Sequence, residues 1–230
     1  MTETKQQVGP SLDWQPVAPP SRAPIPGAYV TLEPIDPVGH AESLFEAKGD
    51  DPALWTYMPA GPFDDFATFQ AWLHDCKKPD DPLCFALVDK ADDKAKGMAS
   101  FMRITPDHGV IETGAIWFGP EIQRTRIATE AIYLQARHAF EELGYRRFEW
   151  KCDHFNKPSR RAAARFGFTY EGIFRQHVVY KGRSRDTAWF AMMDHEWPEI
   201  RAAFDAWLAP DNFDAAGNQK APLNARRAAS

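Results

Sequence analysis

Cysteine is scarce in this chain. Its three cysteines, Cys76, Cys84 and Cys152, are odd in number and widely separated. They therefore provide neither a disulfide framework nor the CxxC spacing of a metal site. The run Asp-His-Glu at residues 194–196 is also a poor metal site, because adjacent side chains at a strand end alternate faces. We expect no metal and a reducing, cytoplasmic location.

Long apolar runs are missing as well. No stretch of about 18 apolar residues occurs, and residues 1–9 lack the apolar segment of a secretion signal. We therefore expect no membrane partner. The net charge of −5 argues against a general nucleic-acid-binding protein. A hydrophobic content of 44%, with eight tryptophans, instead indicates a folded globular protein.

The glycine fingerprints of nucleotide-binding loops, GxxxxGK[ST] and GxGxxG, are absent. In their place, the hydrophobic period changes within residues 110–140. Residues 110–118 are β-branched, aromatic or small, whereas the apolar residues from Ile127 to Phe140 recur every three or four positions. This pattern predicts a buried strand, a short loop and a helix. The first N–H groups of such a helix are suited to bind an anion.

The chain divides into three parts. Residues 1–27 contain six prolines, which favour an extended arm over a domain. Trp14 in this arm either anchors it on the body or is exposed. Residues 28–208 form the single domain. Residues 209–230 lack hydrophobic periodicity and predict a loosely ordered tail.

The body predicts a mixed α+β fold. Strands are expected at residues 29–33, 83–89, 97–104, 110–118, 146–152, 168–171, 176–180 and 187–193. Helices are expected after Asp36, near 51–57, at 65–77, at 127–143, at 158–166 and after Pro198. The strand, helix and strand between residues 110 and 152 indicate a parallel crossover.

Two motifs in this body resemble the GNAT superfamily of acyl-CoA N-acyltransferases. Residues 123–128, Gln-Arg-Thr-Arg-Ile-Ala, are similar to its acetyl-CoA loop Q/R-x-x-G-x-G/A. Residues 156–168 are similar to the N-x-x-S…GF segment of the Rim-type subgroup, which acetylates ribosomal-protein N-termini and related amines. The resemblance covers residues 28–195. It implies the GNAT fold, a mixed central sheet with a splay between the fourth and fifth strands and helices on both faces.

The resemblance also implies acetyl-CoA as the cosubstrate. The residues implied for its pyrophosphate are Gln123, Arg124, Thr125, Arg126, Ile127 and Ala128, and those for its pantetheine are Ile116, Trp117 and Phe118. Arg126 stands where the family has glycine. Its side chain would block phosphate, pair with phosphate or be solvated. We favour pairing, because Arg124 adds charge of the same sign.

Glu112 and Ser159 are the candidate catalytic residues. The GNAT enzymes often have, at about the position of Glu112, a carboxylate that faces the amine, so the resemblance implies that Glu112 acts as general base through a water. Alternatively, Glu112 lies at the exposed end of the strand. Ser159 aligns with the serine proposed to protonate the departing thiolate. Asn156 is implied on the cofactor side, and both residues also fit a simple capping role. Tyr180 and His177 lie on opposite faces of a regular strand and cannot both serve one site.

The expected function is N-acetyl transfer from acetyl-CoA to a primary amine by direct attack in a ternary complex. The acceptor is a protein N-terminus or a small-molecule amine. The alternative is a non-catalytic acyl-CoA-binding or partner-binding module with the same fold. A homodimer is one possible oligomeric state. The acidic residues Asp64, Asp65, Asp80 and Asp81 either attract a cationic acceptor or are solvated loop charges.

Overall fold

An eight-stranded mixed sheet forms the centre of the protein, which is given by a computed structural model that describes residues 6–215, 217–223 and 225. The strands are β1 (Ile25–Pro26), β2 (Val30–Pro34), β3 (Leu83–Asp89), β4 (Lys94–Thr105), β5 (Val110–Phe118), β6 (Arg147–Asp153), β7 (Thr169–Tyr180) and β8 (Arg183–Met193). Their order across the sheet is β1-β2-β3-β4-β5-β6-β8-β7. All neighbours are antiparallel except β5 and β6.

Helices cover both faces of this sheet. Within the described residues they are α1 (Ala41–Ala47), α2 (Phe66–Lys77), α3 (Arg126–Arg137), α4 (Lys157–Arg165) and α5 (Trp197–Leu208). Ile132 of α3 and Phe204 of α5 belong to one buried core, and Leu44 of α1 and Phe69 of α2 belong to another. The mixed fold with two covered faces is confirmed. No helix in this described part of the chain is long and apolar enough to cross a membrane.

The strand β3 lies between the two cores. All seven of its residues are buried. Its odd-numbered apolar residues belong to the core of α3 and α5, and its even-numbered ones belong to the core of α1 and α2. Successive side chains of a strand point to opposite faces. The continuous apolar run at residues 83–89 is therefore the pattern of a strand that is buried on both sides.

The parallel pair β5 and β6 separates partway along its length. Pairing begins at Val110 with Arg147 and ends at Thr113 with Trp150. Both strands continue past this point, and Ala115 of β5 adopts a left-handed backbone conformation with φ of 48°. The predicted splay is confirmed. It lies between the fifth and sixth strands because the short β1 adds a strand at the sheet edge.

Glu130 of α3 holds the first long strand in place. Its carboxylate accepts the N–H groups of Ala28 at 2.7 Å, Tyr29 at 2.6 Å and Val30 at 2.9 Å. Glu130 is 4% exposed, so these bonds satisfy a charge that burial would otherwise make costly. A Cβ on Gly27 would lie 2.7 Å from the same carboxylate. Glycine at this position therefore allows the close approach of the strand to α3.

Some expected elements differ in the structure. The strands predicted at 168–171 and 176–180 are one strand, β7, with an irregular register near Gln176, whose φ is 50°. The helix expected after Asp36 begins only at Ala41, because the Asp36 carboxylate accepts the N–H groups of Val38 and Gly39 in a turn. Val38, in this turn, is exposed.

The proline-rich arm lies along the body. Trp14 donates from Nε1 to the carbonyl oxygen of Asp107 at 2.8 Å, and Arg22 forms an ion pair with Asp80. These contacts support the anchoring interpretation of Trp14. Residues 1–5 of the arm lie outside the described residues.

The C-terminal tail is more ordered than its composition predicts. Phe213 pairs with Gln219 in an antiparallel bridge, and Leu223 and Ala225 are buried in the core. The expectation of a loosely ordered segment is therefore corrected for the described residues, because a few apolar side chains spaced without helical or strand periodicity anchor it. Residues 226–230 lie outside the described residues.

Candidate active site

A cavity of about 680 Å³ opens where β5 and β6 separate. Its walls come from the end of β5, the end of β6, the start of α3, α4, the segment before α2 and the β7–β8 hairpin. Because the parallel pairing has already ended, the β5 backbone beyond Thr113 is not bonded to β6. Ile116, Trp117 and Phe118, the residues implied for pantetheine, line this part of the cavity.

The predicted cofactor loop is divided between two surfaces. Gln123, Arg124 and Ala128 line the cavity, together with Asn156 of the second motif. Thr125, Arg126 and Ile127 line a neighbouring surface pocket, to which Arg124 also contributes. The structure therefore brings only part of the predicted loop side chains to the cavity.

The N-terminus of α3 carries free backbone donors at the cavity. Thr125 is the N-cap residue, and its side chain does not bond to the helix N–H groups. Instead, the Thr125 hydroxyl donates to the carbonyl oxygen of Ile122 at 2.7 Å. The first N–H groups of a helix have no partner within the helix. They and the helix dipole thus provide an anion site beside Ala128.

Arg126 does not line the cavity. Its guanidinium carbon lies 4.6 Å from the ring centroid of Tyr29 and 4.6 Å from that of Phe213. A guanidinium between two aromatic faces is held by cation–π attraction. This placement argues against our interpretation of Arg126 as a phosphate-pairing residue. The contact between Arg126 and Phe213 could not be predicted from the sequence, because the two residues are far apart along the chain.

Through Phe213, Arg126 contacts the C-terminal segment that closes one side of the cavity. The Phe213 ring packs edge-on against Trp207 of α5, with centroids 5.1 Å apart. Trp207 donates from Nε1 to Oε1 of Gln219 at 2.9 Å. Gln219 lines both the cavity and the neighbouring pocket. Arg126 therefore helps to position a wall of the cavity.

Replacing Arg126 with glycine is expected to lower thermal stability, because each cation–π contact contributes about 0.5–1 kcal/mol. CoA affinity should fall only about two- to fivefold, through the loosened wall. Arg124→Gln is the matched control, since Arg124 lines the cavity and makes no ring contact among the described residues. It should weaken CoA binding without a change in Tm. Thermal unfolding and calorimetric titration with CoA measure both effects. A tenfold loss of affinity at unchanged Tm for Arg126→Gly would restore the phosphate-pairing interpretation.

Arginine side chains surround the same part of the cavity. Arg124, Arg161 and Arg165 all line it, and within the described residues none of them has a carboxylate at ion-pair distance. Arg165 donates to the Thr129 hydroxyl at 3.2 Å, and burial lowers its pKa. The sequence analysis recognised Arg124 but missed the other two. Positive charge without a protein counterion is suited to phosphate groups.

Glu112 is buried at the centre of an ion-pair network. Its Oε2 lies 2.7 Å from Nη1 of Arg103 and 2.8 Å from Nζ of Lys151. Nζ of Lys151 also lies 2.6 Å from Oε2 of Glu149 and 3.8 Å from the ring centroid of Trp189. The side chains of Glu112 and Lys151 are each 3% exposed. Glu112 is therefore not at an exposed strand end.

The geometry of the sheet explains this network. Glu112 of β5 and Glu149 of β6 are register partners, so two carboxylates lie side by side on one face. The ammonium group of Lys151 bridges them and offsets their repulsion. Both cationic contacts of Glu112 are made by Oε2. Its other oxygen makes no bond to the described residues, and Glu112 lines the cavity.

Ser159 and Asn156 lie at the start of α4, beside the end of β6. Oδ1 of Asn156 accepts the N–H of Ser159 at 3.1 Å, which is a helix cap. The Ser159 hydroxyl accepts from Nε1 of Trp150 at 3.0 Å and lines the cavity. Its own hydrogen can be donated, either to the neighbouring Cys152 sulfur or to a ligand in the cavity. Burial raises the pKa of the neighbouring Cys152, although a hydrogen bond with Ser159 opposes this. A thiol that stays protonated is a poor nucleophile.

Tyr180 and Asp153 form a further pair in the cavity. The Tyr180 hydroxyl donates to Oδ2 of Asp153 at 2.9 Å. Burial and this hydrogen bond raise the pKa of Tyr180 to about 12, so the phenol stays protonated near neutral pH. The irregularity at Gln176 interrupts the alternation of β7 that the sequence analysis assumed. No cluster of metal-binding side chains occurs in the described part of the chain.

This fold and cavity define a class of protein. A parallel strand pair that separates beside an uncapped helix start is the arrangement of an acyl-CoA-dependent N-acyltransferase. The chain belongs to the acetyltransferase (GNAT) domain family, whose model matches residues 30–169.

Individual proteins agree with this assignment. The crystal structure of a GCN5-related N-acetyltransferase from Brucella melitensis matches this fold with a TM-score of 0.89. The two sequences are 50% identical, and the match covers 92% of this chain and 96% of that chain. The protein named uncharacterized N-acetyltransferase p20 from Bacillus licheniformis is 26% identical over 64% of this chain and 84% of its own length. YdaF of Bacillus subtilis, provisionally named a ribosomal N-acetyltransferase, is 29% identical over 44% of this chain and 55% of its own length.

Proposed function

We propose that the protein transfers the acetyl group of acetyl-CoA to a primary amine by direct attack within a ternary complex. The observation that supports this proposal best is a single cavity that is lined both by Ala128, in the uncapped first turn of α3, and by the buried carboxylate of Glu112. One end of the cavity is suited to phosphate, and the other holds a base. The motif at residues 156–168 and the similarity to YdaF favour the Rim-type subgroup.

The cofactor side is built from backbone and arginine groups. The first N–H groups of α3 would receive the pyrophosphate, and Arg124, Arg161 and Arg165 would neutralise phosphate charge. The β5 backbone between Thr113 and Phe118 is free of the β6 ladder and would hydrogen-bond the pantetheine amides. Asn156 fixes the first turn of α4 against this side of the cavity.

The chemistry requires a proton acceptor and a donor near sulfur. The amine nitrogen forms a bond to the thioester carbonyl carbon, and the carbon–sulfur bond breaks. Glu112 takes the amine proton through a water with the oxygen that is not paired to Arg103 or Lys151. Ser159 donates a hydrogen bond to the departing thiolate, because its hydroxyl oxygen already accepts from Trp150. The products are an N-acetylated amine and CoA.

Two measurements test the function. Acetyl-CoA is titrated calorimetrically into the protein, and thiol release is then followed across a panel of primary amines and peptides with free N-termini. Binding followed by acceptor-dependent release supports N-acetyl transfer. Binding without release on any acceptor supports the alternative, an acyl-CoA-binding or partner-binding module. Absence of binding would contradict both functions.

Replacing Ser159 with alanine is expected to lower kcat about 10- to 100-fold, because one hydrogen bond to a developing anion is lost. The KM for acetyl-CoA should change less than threefold, since the Asn156 cap uses the backbone of residue 159. Cys152→Ser is the control, because it alters the neighbouring thiol and leaves Trp150 bonded to Ser159. Steady-state thiol release checks the result. An unchanged kcat for Ser159→Ala would reduce Ser159 to a packing role.

A further inference from the structure

The carboxylates that line the cavity are already engaged. Within the described residues they are Glu112 and Asp153. Glu112 holds two cationic groups at 2.7 and 2.8 Å. Asp153 accepts the Tyr180 hydroxyl through Oδ2 and the N–H of Phe155 through Oδ1. Neither carboxylate is placed to bind a second positive charge on the acceptor.

The acidic rim also has structural roles in place of acceptor binding. None of Asp64, Asp65, Asp80 and Asp81 lines the cavity. Asp65 caps α2, Asp80 pairs with Arg22, and Asp81 accepts two backbone N–H groups of β4. Of the two interpretations left open for these residues, their positions disfavour attraction of a cationic acceptor.

Arg103 is placed at the acceptor side by an unusual backbone. Its φ is 47°, in the left-handed region that costs energy for a residue with a side chain. The Asp81 carboxylate stabilises this bulge by accepting the N–H groups of Arg103 at 2.8 Å and Ile104 at 3.0 Å. The guanidinium pairs with Glu112 through Nη1 only, and the side chain is 48% exposed. Its remaining N–H donors are available to a ligand.

Arg185 is a second cation on the same side. It lines the cavity, its Nε donates to the Thr187 hydroxyl at 3.1 Å, and its guanidinium lies 5.9 Å from the Tyr180 ring. No carboxylate of the described residues lies at ion-pair distance from it. Burial, followed by the charges of Arg103 and Arg185, lowers the pKa of His177. Both arginines line the same cavity, to which Val178 and Tyr180 of β7 also contribute.

We propose that the acceptor amine carries an anionic group, a carboxylate or a phosphate, that binds Arg185 and the free donors of Arg103 while the amine faces Glu112. The proposal rests on the proposed function. Guanidinium groups bind carboxylate and phosphate oxygens through paired, charge-assisted hydrogen bonds. A polyamine or another polycation would find no carboxylate in the cavity for its second ammonium group and would meet two arginines. The unpaired charge of the cavity thus selects anionic acceptors.

The test compares primary amines with and without an anionic group. Leucine is paired with leucinamide, and phosphoethanolamine with ethanolamine, in the thiol-release assay at fixed acetyl-CoA. We expect one anionic member to exceed its neutral partner about 10- to 100-fold in kcat/KM, the range of a hydrogen bond to a charged group. The leucine arm identifies a carboxylate and the phosphoethanolamine arm a phosphate.

Variants separate charge recognition from folding. Arg185→Gln should remove most of the preference, read as the ratio of kcat/KM between the two members of each pair, so that a general loss of activity does not imitate the result. Arg185→Lys should keep part of it. Arg183→Gln is the control, because Arg183 is exposed on the same hairpin and does not line the cavity. Equal turnover of both members of each pair would overturn the proposal and leave N-acetyl transfer intact. Binding of acetyl-CoA without turnover of any acceptor would overturn both.

Discussion

Glu112→Gln is expected to lower kcat by about 10²- to 10⁴-fold, the usual contribution of a positioned general base. Glutamine keeps the size of the side chain but cannot take the amine proton. The KM for acetyl-CoA should stay within about threefold, because the phosphate side of the cavity is unchanged. Thiol release at saturating acetyl-CoA and acceptor measures the effect.

The neighbouring carboxylate provides a strict control. Glu149 lies 2.6 Å from the same Lys151 ammonium group, yet it does not line the cavity. Glu149→Gln should destabilise the network as much as Glu112→Gln does, and it should lower kcat less than tenfold. Thermal unfolding of both variants confirms that the assay temperature lies below their transitions. Equal losses of kcat would show that Glu112 acts through the network and not as the base.

The burial of the ion-pair network of Glu112, Glu149 and Lys151 could not be predicted from the sequence. Residues 146–152 alternate between apolar and charged side chains, which correctly predicts the strand. The same alternation suggests that Glu149 and Lys151 face solvent, but both are buried. The reason is tertiary, since β6 lies between β5 and β8 and its charged face meets Glu112. Sequence alternation does not identify the partner of a charged face.

Elsewhere too, features set by local sequence were predictable, whereas features set by residues remote in sequence were not. The bounds of β3 and β5 follow directly from buried apolar runs, and the cap of α2 follows from Asp65. By contrast, the role of Arg126 depends on Tyr29 and Phe213, which are remote in sequence. The left-handed turn at Arg103 depends on Asp81 of another segment. The elements were predictable because their causes are local, whereas half of the site depends on contacts that only the fold creates.

Glu130→Ala is expected to lower the free energy of unfolding by about 3–5 kcal/mol. The variant leaves three N–H groups at the start of β2 without their acceptor, and each hydrogen bond to a charged group contributes about 1.5–3 kcal/mol. The expected value is below the sum because water reaches part of the opened site. Urea denaturation followed by fluorescence measures the change. Glu199→Ala, at an exposed position of α5, should change stability by less than about 0.5 kcal/mol.

Glutamine at position 130 should not restore this stability. A carboxylate accepts from three N–H groups, but a carboxamide has only one acceptor oxygen and would present its own N–H₂ group to a donor. The N–H of Tyr29 donates one of these bonds, and the Tyr29 ring also stacks on Arg126, which positions Phe213 beside the cavity wall. Glu130→Gln should therefore weaken CoA binding about two- to fivefold, as Arg126→Gly does. A stable Glu130→Gln variant with full CoA affinity would mean that the start of β2 and the cavity wall are independent.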